Sequence, residues 1–192
     1  MNDPLSIFNR FAGKGIYPHQ LAWILLLPLR NLYLSPRTLA ERLELEPEFQ
    51  VLEIGCGPGY FSPCIAKKLP YGKLFLTDIQ PEMIQKSEKR LKNRQIRNVD
   101  LRISDGTALP YKDSSFDRIF LVTVLGEISN ATLAAKEMFR VLRPGGKVSI
   151  SEQAGDPDSL TLEEVAGVLC PAGFTLDRVY GRKRTFTVNF IK

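Results

Sequence analysis

The sequence predicts an α/β fold, with a mostly parallel sheet covered by helices on both faces and a helical extension at the N-terminus. Over residues 48–192, short apolar runs alternate with helical stretches. This alternation requires helical crossovers between parallel strands. The last two apolar runs, 175–180 and 185–191, stand too close together for a helical crossover. They therefore form a hairpin, which makes one of the two strands antiparallel.

Composition and charge narrow the class of protein. The chain has 192 residues, of which 44% are hydrophobic and 24% are charged, and three are cysteines. A domain of this size can be stable without a disulfide or a bound metal. None of its apolar runs approaches the roughly 18–20 residues that cross a bilayer. The cysteines have no CxxC spacing, so we expect neither a disulfide framework nor a metal site, and the reducing cytoplasm is the expected location.

The net charge of +5 leaves several partners open. It is compatible with simple solubility, with an anionic substrate, with an acidic membrane surface or with nucleic acid. Basic residues concentrate in 86–102 and 178–192, but neither stretch interleaves aromatic residues with them. Nucleic acid is therefore not the expected partner.

The N-terminal extension, residues 1–47, precedes the alternating body. Residues 1–18 have little periodicity and predict a loop or a short helix. Residues 20–34 are strongly apolar but contain Pro28, which favours either a helix kinked there or two short helices. A serine–proline pair then supplies the N-cap and the first residue of a helix over 36–45.

The body divides into strands and helices at its turn residues. The first strand is a short apolar run that ends in glycines, the fourth is long and largely apolar, and the fifth follows a Pro-Gly-Gly turn. The expected strands are 49–54, 73–77, 99–103, 116–124, 147–151, 175–180 and 185–191. The expected helices are 60–69, 81–93, 131–142 and 161–170, the second of which has Met83, Ile84 and Leu91 on its apolar side.

The strongest chemical signal is VLEIGCGPG, in which the first strand runs into Gly55, Gly57 and Gly59 before a helix. Glycine lets a ligand approach the backbone closely, and the following helix offers free N–H groups. Such a loop alone is shared by dinucleotide, nucleotide and other binders, and a tight turn without a ligand is the alternative. The spacing excludes a P-loop. Glu53, two residues before the first glycine, would repel a pyrophosphate and suits a ligand with an ammonium group, which argues against NAD.

Two acidic residues follow the next two strands. Asp78 stands nineteen residues after Gly59, where a carboxylate can accept hydrogen bonds from both ribose hydroxyls. The alternative is an acid at a helix N-terminus. Asp105 and Gly106 follow the third strand, where the carboxylate can bind the amine of adenine and the adjacent N–H can bind its ring. An ordinary Asp-Gly turn is the alternative there.

Four segments in order, VLEIGCGPG, LTDIQPEMI, SDGTALPYKDSSFDRI and FRVLRPGGKVSI, closely resemble the class I S-adenosylmethionine-dependent methyltransferases. Within that superfamily, they are most similar to the ubiquinone/menaquinone-biosynthesis C-methyltransferases and their small relatives. The resemblance covers residues 48–152 well and 153–192 loosely. It implies a Rossmann-like sheet of seven strands with an antiparallel last strand, and S-adenosylmethionine as cofactor, with S-adenosylhomocysteine as product. It does not specify the acceptor.

The resemblance also implies roles for single residues. The glycine loop would lie beside the methionine part of the cofactor, and Thr123 would face both cofactor and acceptor. The cofactor-binding residues implied in this way are Glu53, Gly55, Cys56, Gly57, Gly59, Asp78, Ile79, Met83, Asp105, Gly106 and Thr123.

Methyl transfer is a displacement at an activated sulfonium methyl, so alignment of the reactants supplies most of the rate. A general base is needed only for a poorly ionised acceptor. Tyr17, His19 and Glu127 are the candidates for such a group, with structural roles as the alternative. The fourth strand lacks Asn-Pro-Pro-[Tyr/Phe], which argues against amino-methylation of adenine or glutamine of that type.

In the superfamily that these segments resemble, N-terminal helices often cover the cofactor and form part of the acceptor site. This implies a lid within residues 10–45, with packing on the core, a membrane-surface contact or a dimer contact as alternatives. The function expected is methyl transfer to a small, hydrophobic or lipid-like acceptor. The alternatives are a non-catalytic S-adenosylmethionine-binding module, an RNA or protein methyltransferase, and a nucleotide-dependent oxidoreductase. Monomer and homodimer both stay open.

Overall fold

The structure is a computed structural model that describes residues 17–26, 31 and 33–192. The strands are β1 (Gln50–Ile54), β2 (Lys73–Asp78), β3 (Val99–Ile103), β4 (Phe116–Val122), β5 (Leu142–Glu152), β6 (Thr175–Arg182) and β7 (Thr185–Ile191). The α-helices are α1 (Pro36–Arg42), α2 (Ser62–Lys67), α3 (Pro81–Asn93), α4 (Ala131–Val141) and α5 (Leu162–Leu169). Single 3₁₀ turns lie at His19–Leu21, Ile24–Leu26, Leu125–Glu127 and Cys170–Ala172.

The strands form one seven-stranded sheet in the order β3-β2-β1-β4-β5-β7-β6. β1 to β5 pair in parallel, and β7 runs antiparallel between β5 and β6. This confirms the predicted Rossmann-like sheet with its antiparallel last strand. The strand order reverses direction between β1 and β4, and in open α/β sheets ligands bind in the crevice outside such a switch point.

Helices cover both faces of the sheet because the strands are buried on both sides. In β1, Leu52 belongs to one apolar cluster and its neighbour Val51 to the other, as the two-residue period of a strand requires. The first cluster includes Met138 of α4 and Val165 of α5, whereas the second includes side chains of the other three helices. Those side chains are Leu39, Ile65 and Leu91.

Several strand boundaries differ from the sequence-based expectation, and those of β4 and β5 have a clear physical reason. β4 ends at Val122 because Thr123 takes a φ of +53°, outside the extended region. β5 begins at Leu142, before the predicted Pro-Gly-Gly turn, and continues to Glu152. The turn segment remains in the sheet because Gly145 donates its N–H to the carbonyl of the last residue of the chain.

Two helices, α1 and α2, are shorter than predicted. α2 begins at Ser62, because the preceding residues remain in the loop and a proline occupies the first turn of the helix. α1 ends at Arg42, and its predicted N-cap is present: the Ser35 hydroxyl accepts a hydrogen bond from the Thr38 N–H.

The apolar N-terminal stretch forms two single turns, His19–Leu21 and Ile24–Leu26, over its described part. Both turns precede Pro28, so the choice between a helix kinked there and two short helices stays a prediction. Residues 1–16, Pro28 and the rest of 27–30 lie outside the described residues. Among the residues that are described, no helix is long and apolar enough to cross a membrane.

Candidate functional site

A cavity of about 490 Å³ opens at the carboxyl ends of β1, β2 and β4. Its volume falls in the range of about 300–1,000 Å³ that is usual for small-molecule sites. Most of the residues singled out from the sequence line it, which brings together parts of the chain far apart in sequence. The predicted residues that line it are Tyr17, Glu53, Gly55, Cys56, Gly57, Asp78, Ile79, Met83, Asp105, Thr123 and Glu127.

Two of the three loop glycines are required by packing against the protein itself. Gly55 and Gly59 have φ angles of +72° and +75°. A Cβ atom would lie 2.5 Å from a methyl of Val124 at the first position, and 2.6 Å from Oγ of Ser87 at the second. Gly59 does not line the cavity. The structure therefore gives Gly59 a packing role, and its contact with the cofactor stays a prediction.

Gly57 lines the cavity and, unlike Gly55 and Gly59, has open space where a Cβ atom would stand. Its φ is +53°, and a Cβ atom would meet only Leu25 of the N-terminal segment, at 3.8 Å. Its N–H donates a hydrogen bond to Oδ2 of Asp78 at 2.8 Å. The middle of the loop therefore leaves open space beside bare backbone, which is what a closely bound ligand needs.

Asp78 ends β2 at the floor of the cavity and is 7% exposed. Its second oxygen, Oδ1, accepts a hydrogen bond from the Gln80 N–H at 2.9 Å. Burial raises the pKa of Asp78, while the hydrogen bonds from the backbone lower it. Two backbone donors thus hold this carboxyl in place.

Glu53 is 3% exposed and lies on the α2 side of β1. Its Oε2 accepts a hydrogen bond from the Ser62 hydroxyl at 2.6 Å. Cys56, in the adjacent loop, is buried, and its thiol contacts the Gly57 carbonyl at 3.6 Å. Burial, together with the nearby carboxyls of Glu53 and Asp78, raises the pKa of this thiol. These surroundings disfavour the thiolate, which is the nucleophilic form of cysteine.

The Asp105–Gly106 pair after β3 forms a turn, and its aspartate also borders the cavity. Oδ1 of Asp105 accepts hydrogen bonds from the N–H and the hydroxyl of Thr107, both at 2.9 Å, which lowers the pKa of Asp105. The residue is nevertheless exposed at the edge of the cavity. Gly106 does not line the cavity: a Cβ atom there would lie 3.4 Å from both Ile54 and Ile128. Asp105 thus faces the cavity, and Gly106 packs behind it.

Apolar side chains border the same cavity. Ile79 is 45% exposed there, and Met83 is buried beneath it. Thr123 follows β4, and its N–H donates to the Ser151 carbonyl at 2.8 Å, which joins the ends of β4 and β5.

The three candidate catalytic residues separate in the structure. Glu127, on the turn after β4, lines the cavity, and burial with the nearby Asp156 raises its pKa to about 8. Tyr17 also lines the cavity, and its hydroxyl lies 3.4 Å from the Leu21 carbonyl, to which it donates. His19 does not line the cavity. Its Nε2 lies 4.0 Å from a carboxylate oxygen of Glu82 on the surface of α3.

The N-terminal segment contacts the body on two sides of the cavity. The side-chain amide of Gln80 donates to the Tyr17 carbonyl at 2.8 Å, and the Tyr60 hydroxyl donates to Oδ1 of Asn31 at 2.8 Å. Leu25 lies above the glycine loop. Of the described residues of this segment, Tyr17, Ile24 and Leu25 line the cavity.

A second, smaller cavity of about 150 Å³ adjoins the first. The two share Phe61, Val122, Thr123 and Gln153. Glu152, the last residue of β5, lines the smaller cavity. Sequence reasoning missed it because the fifth strand was expected to end one residue earlier. Asp78 was identified as an acidic residue at the carboxyl end of a parallel strand, and Glu152 shows the same signal.

The described lining of the larger cavity contains carboxylates and no lysine, arginine or histidine. The acids are Glu53, Asp78, Asp105, Glu127, Asp156 and Asp158. Sequence reasoning missed the last two, which lie in the loop after β5 without a recognisable motif. A site of this charge attracts cations and repels phosphates. It suits a ligand that carries a sulfonium and an ammonium group, and it disfavours a dinucleotide.

The family described as "Methyltransferase domain" matches residues 45–173. This is more than half of the chain, and the chain therefore belongs to that family. The resemblance to S-adenosylmethionine-dependent methyltransferases, drawn from the four sequence segments, is thereby confirmed, and with it the cofactor of the class.

Two curated relatives agree with this class. The ubiquinone/menaquinone biosynthesis C-methyltransferase of Hydrogenovibrio crunogenus is 34% identical over 110 residues, which cover 56% of this chain and 43% of that protein. The demethylmenaquinone methyltransferase of a Geobacillus species is 29% identical over 109 residues, which cover 56% of this chain and 47% of that protein. The chain thus spans less than half the length of these relatives.

Solved structures share the fold at lower sequence identity. A SAM-dependent methyltransferase from Aquifex aeolicus superposes with a TM-score of 0.85 and 23% identity, covering 92% of this chain and 99% of that one. A protein described as a [4+2]-cyclase superposes with a TM-score of 0.70 and 22% identity, covering 92% of this chain and 70% of that one. The fold alone therefore does not specify the reaction.

Proposed function

We propose that this chain transfers a methyl group from S-adenosylmethionine to a small, hydrophobic or lipid-like acceptor by direct displacement. One observation carries the proposal. The carboxylate of Asp78 and the bare backbone of Gly57 are hydrogen-bonded to each other and face one carboxylate-lined cavity. Family membership adds the class of reaction.

The residues present fit the cofactor. Glu53 would hold its ammonium group, Asp78 its ribose hydroxyls and Asp105 the amine of its adenine, with Ile79 and Met83 as apolar contacts. When bound, S-adenosylmethionine supplies a methyl group on a sulfonium and leaves as S-adenosylhomocysteine. The side chains around it need only align the acceptor and exclude water.

The acceptor side is apolar where the N-terminal segment borders it. Ile24 and Leu25 line the larger cavity, and Tyr33 and Leu34 line the smaller one. We infer that the extension, residues 1–47, is a lid over the domain formed by 48–192, and that its contacts through Gln80 and Tyr60 close it. The names of the curated relatives, which refer to ubiquinone and menaquinone biosynthesis, support an apolar acceptor.

The proposal is tested by incubating the full chain with methyl-labelled S-adenosylmethionine and 1,4-naphthoquinol, a ring of the kind those names indicate. We expect formation of S-adenosylhomocysteine that depends on the quinol and that is strongly reduced in Asp78→Asn at a low concentration of S-adenosylmethionine. Glu88→Gln, an exposed acid of α3, is the matched control and should retain activity. Cofactor binding without turnover on this or any other apolar acceptor would instead indicate a non-catalytic binding module.

A further inference from the structure

An exposed basic turn lies at the same end of the sheet as the two cavities. Glu152, the last residue of β5, pairs with Phe186 near the start of the antiparallel β7. The turn that joins β6 to β7 therefore lies just beyond the carboxyl end of β5. It consists of Arg182, Lys183 and Arg184, and all three are exposed. We call residues 182–184 the basic turn.

The basic turn keeps its positive charge at the surface. Among the residues that the structure describes, none of its three side chains makes an ion pair. The adjacent loop after β5, whose Ala154 N–H donates to the Thr185 hydroxyl, contains Asp156 and Asp158. Both of these acids are half-buried and line the larger cavity. The charge of the turn is therefore available to a partner.

Two aromatic side chains of the N-terminal segment are exposed at the same end. Trp23 is 60% exposed and Tyr33 is 51% exposed. Ile24, which follows Trp23, lines the larger cavity, and Tyr33 lines the smaller cavity together with Gly181 and Thr185, the residues on either side of the basic turn. Tryptophan and tyrosine are enriched where a bilayer meets water, because each combines an apolar ring with a hydrogen-bonding group.

Exposed acids at this end of the sheet lie on other elements. Glu82 and Asp105 follow β2 and β3, and β3 is the edge strand opposite to β6. Glu163 and Glu164 begin α5, which packs on the face of the sheet opposite to that of Leu34. The exposed aromatic side chains and the basic turn therefore form one face without an acid of their own elements between them.

Basic and aromatic side chains in this combination fit an anionic bilayer. The basic residues are attracted to acidic phospholipids, and the rings enter the region of the headgroups. A nucleic acid is disfavoured because it needs a basic groove that follows several nucleotides, whereas the larger cavity at this end is lined by carboxylates. We propose that Trp23, Tyr33 and the basic turn form a face that binds the surface of an anionic phospholipid bilayer. This binding goes beyond the proposed methyl transfer and does not depend on it.

Trp23 is the only tryptophan of the chain, so its fluorescence reports the contact directly. The full chain is titrated with vesicles of phosphatidylcholine alone, or of phosphatidylcholine and phosphatidylglycerol in equal amounts. We expect the emission to shift to shorter wavelength with the anionic vesicles only, and the binding to weaken as salt is added. Arg182→Glu, Lys183→Glu and Arg184→Glu combined should lower the affinity for these vesicles by at least about 100-fold, because each basic residue near an anionic surface contributes about fivefold.

The matched control combines Lys92→Glu, Arg94→Glu and Arg97→Glu. These exposed basic residues lie at the end of α3 and before β3, and therefore at the amino ends of the parallel strands. The control has the same net charge as the turn variant and should retain most of the affinity for the anionic vesicles. Calorimetric titration with S-adenosylhomocysteine should give the same affinity for both variants, which keeps this inference separate from the proposed function.

Equal losses of affinity in the two triple variants would overturn the inference, because the net charge alone would then explain the attraction. So would an unshifted emission with the anionic vesicles, or equal binding to neutral and anionic vesicles. Tighter binding of a single-stranded RNA than of the anionic vesicles would overturn it as well. If the turn variant does not fold, the emission of the unmodified chain with the two kinds of vesicle decides.

Discussion

The carboxylate of Asp78 accepts a hydrogen bond from the backbone N–H of Gly57 at 2.8 Å, and this bond joins the ends of two neighbouring strands. The other carboxylate oxygen is held by the Gln80 N–H. The acid is therefore oriented toward the cavity before any ligand arrives. Such preorganisation of a binding group makes a precise site.

Asp78→Asn should lower the affinity for S-adenosylmethionine by about 10- to 100-fold, because hydrogen bonds to a charged group contribute about 1.5–3 kcal/mol. The amide also places a donor against the donating N–H groups of the loop. Calorimetric titration measures the effect, with Glu88→Gln as the control for the loss of one negative charge. Unchanged affinity in Asp78→Asn would show that the acid has no role in binding.

Gly59→Ala should cost more stability than Gly57→Ala, whereas Gly57→Ala should cost more affinity for the cofactor. At position 59 the new methyl collides with Ser87, and overpacking of this kind costs about 1–3 kcal/mol in addition to backbone strain. At position 57 the methyl meets only Leu25, so the main stability cost is the strain of the left-handed conformation, about 1–2 kcal/mol.

Urea denaturation and calorimetry separate the two variants. Gly59→Ala should lose more stability, and its folded fraction should still bind the cofactor. Gly57→Ala should fold and lose more affinity, because its methyl occupies the cavity wall. The reverse order in both measurements would show that the roles of these glycines are exchanged.

The stability of the protein should fall as pH rises because of Glu152. Burial, with the nearby Asp156 and Glu127, raises its pKa from 4.5 to about 8. Arg42 and Glu152 both line the smaller cavity. Between those two pH values the native state holds a proton that the unfolded chain has lost, so stability declines with rising pH, by up to about 1.4 kcal/mol per pH unit.

Glu152→Gln cannot ionise and isolates this contribution. Near pH 4, the variant and the unmodified chain should have similar free energies of unfolding. As the pH rises to about 8, the variant should become increasingly more stable than the unmodified chain. Denaturant unfolding at several pH values measures the difference. Parallel curves for the two proteins would mean that Glu152 ionises in the folded state as it does in water.

Gln80→Ala should loosen the N-terminal segment, because it removes the hydrogen bond to the Tyr17 carbonyl. We expect cofactor dissociation about two- to tenfold faster, the range that a single hydrogen bond of about 0.5–1.5 kcal/mol provides. Proteolysis within 17–26 should also be faster. Gln85→Ala, an exposed position of α3, is the control. An unchanged dissociation rate would argue against a lid.

The residues found from the sequence share one property. Glu53, Asp78 and Asp105 each stand at or just beyond the carboxyl end of a parallel strand, and the topology of the sheet brings such ends together. Local apolar patterns were sufficient to predict these strands. Glu152 belongs to the same set, but its strand was expected to end one residue earlier. The other end of this strand begins at Leu142, before the predicted turn, because Gly145 pairs with the last residue of the chain, a contact remote in sequence.

The positions of Gly59 and His19 relative to the cavity also depend on contacts remote in sequence. Whether a loop glycine faces a ligand or a protein neighbour depends on what a Cβ atom would meet. For Gly59 that neighbour is Ser87, on a helix that follows the next strand. His19 likewise lies away from the cavity and near Glu82, which no local pattern indicates.

The central claim is that the carboxylate-lined cavity binds S-adenosylmethionine. The most direct measurement is a calorimetric titration of the purified chain with S-adenosylmethionine and S-adenosylhomocysteine, with NADH as the comparison ligand. The account predicts micromolar binding of both sulfur compounds at one site per chain and no binding of NADH. A folded sample that binds neither sulfur compound, or that binds NADH more tightly, would contradict it.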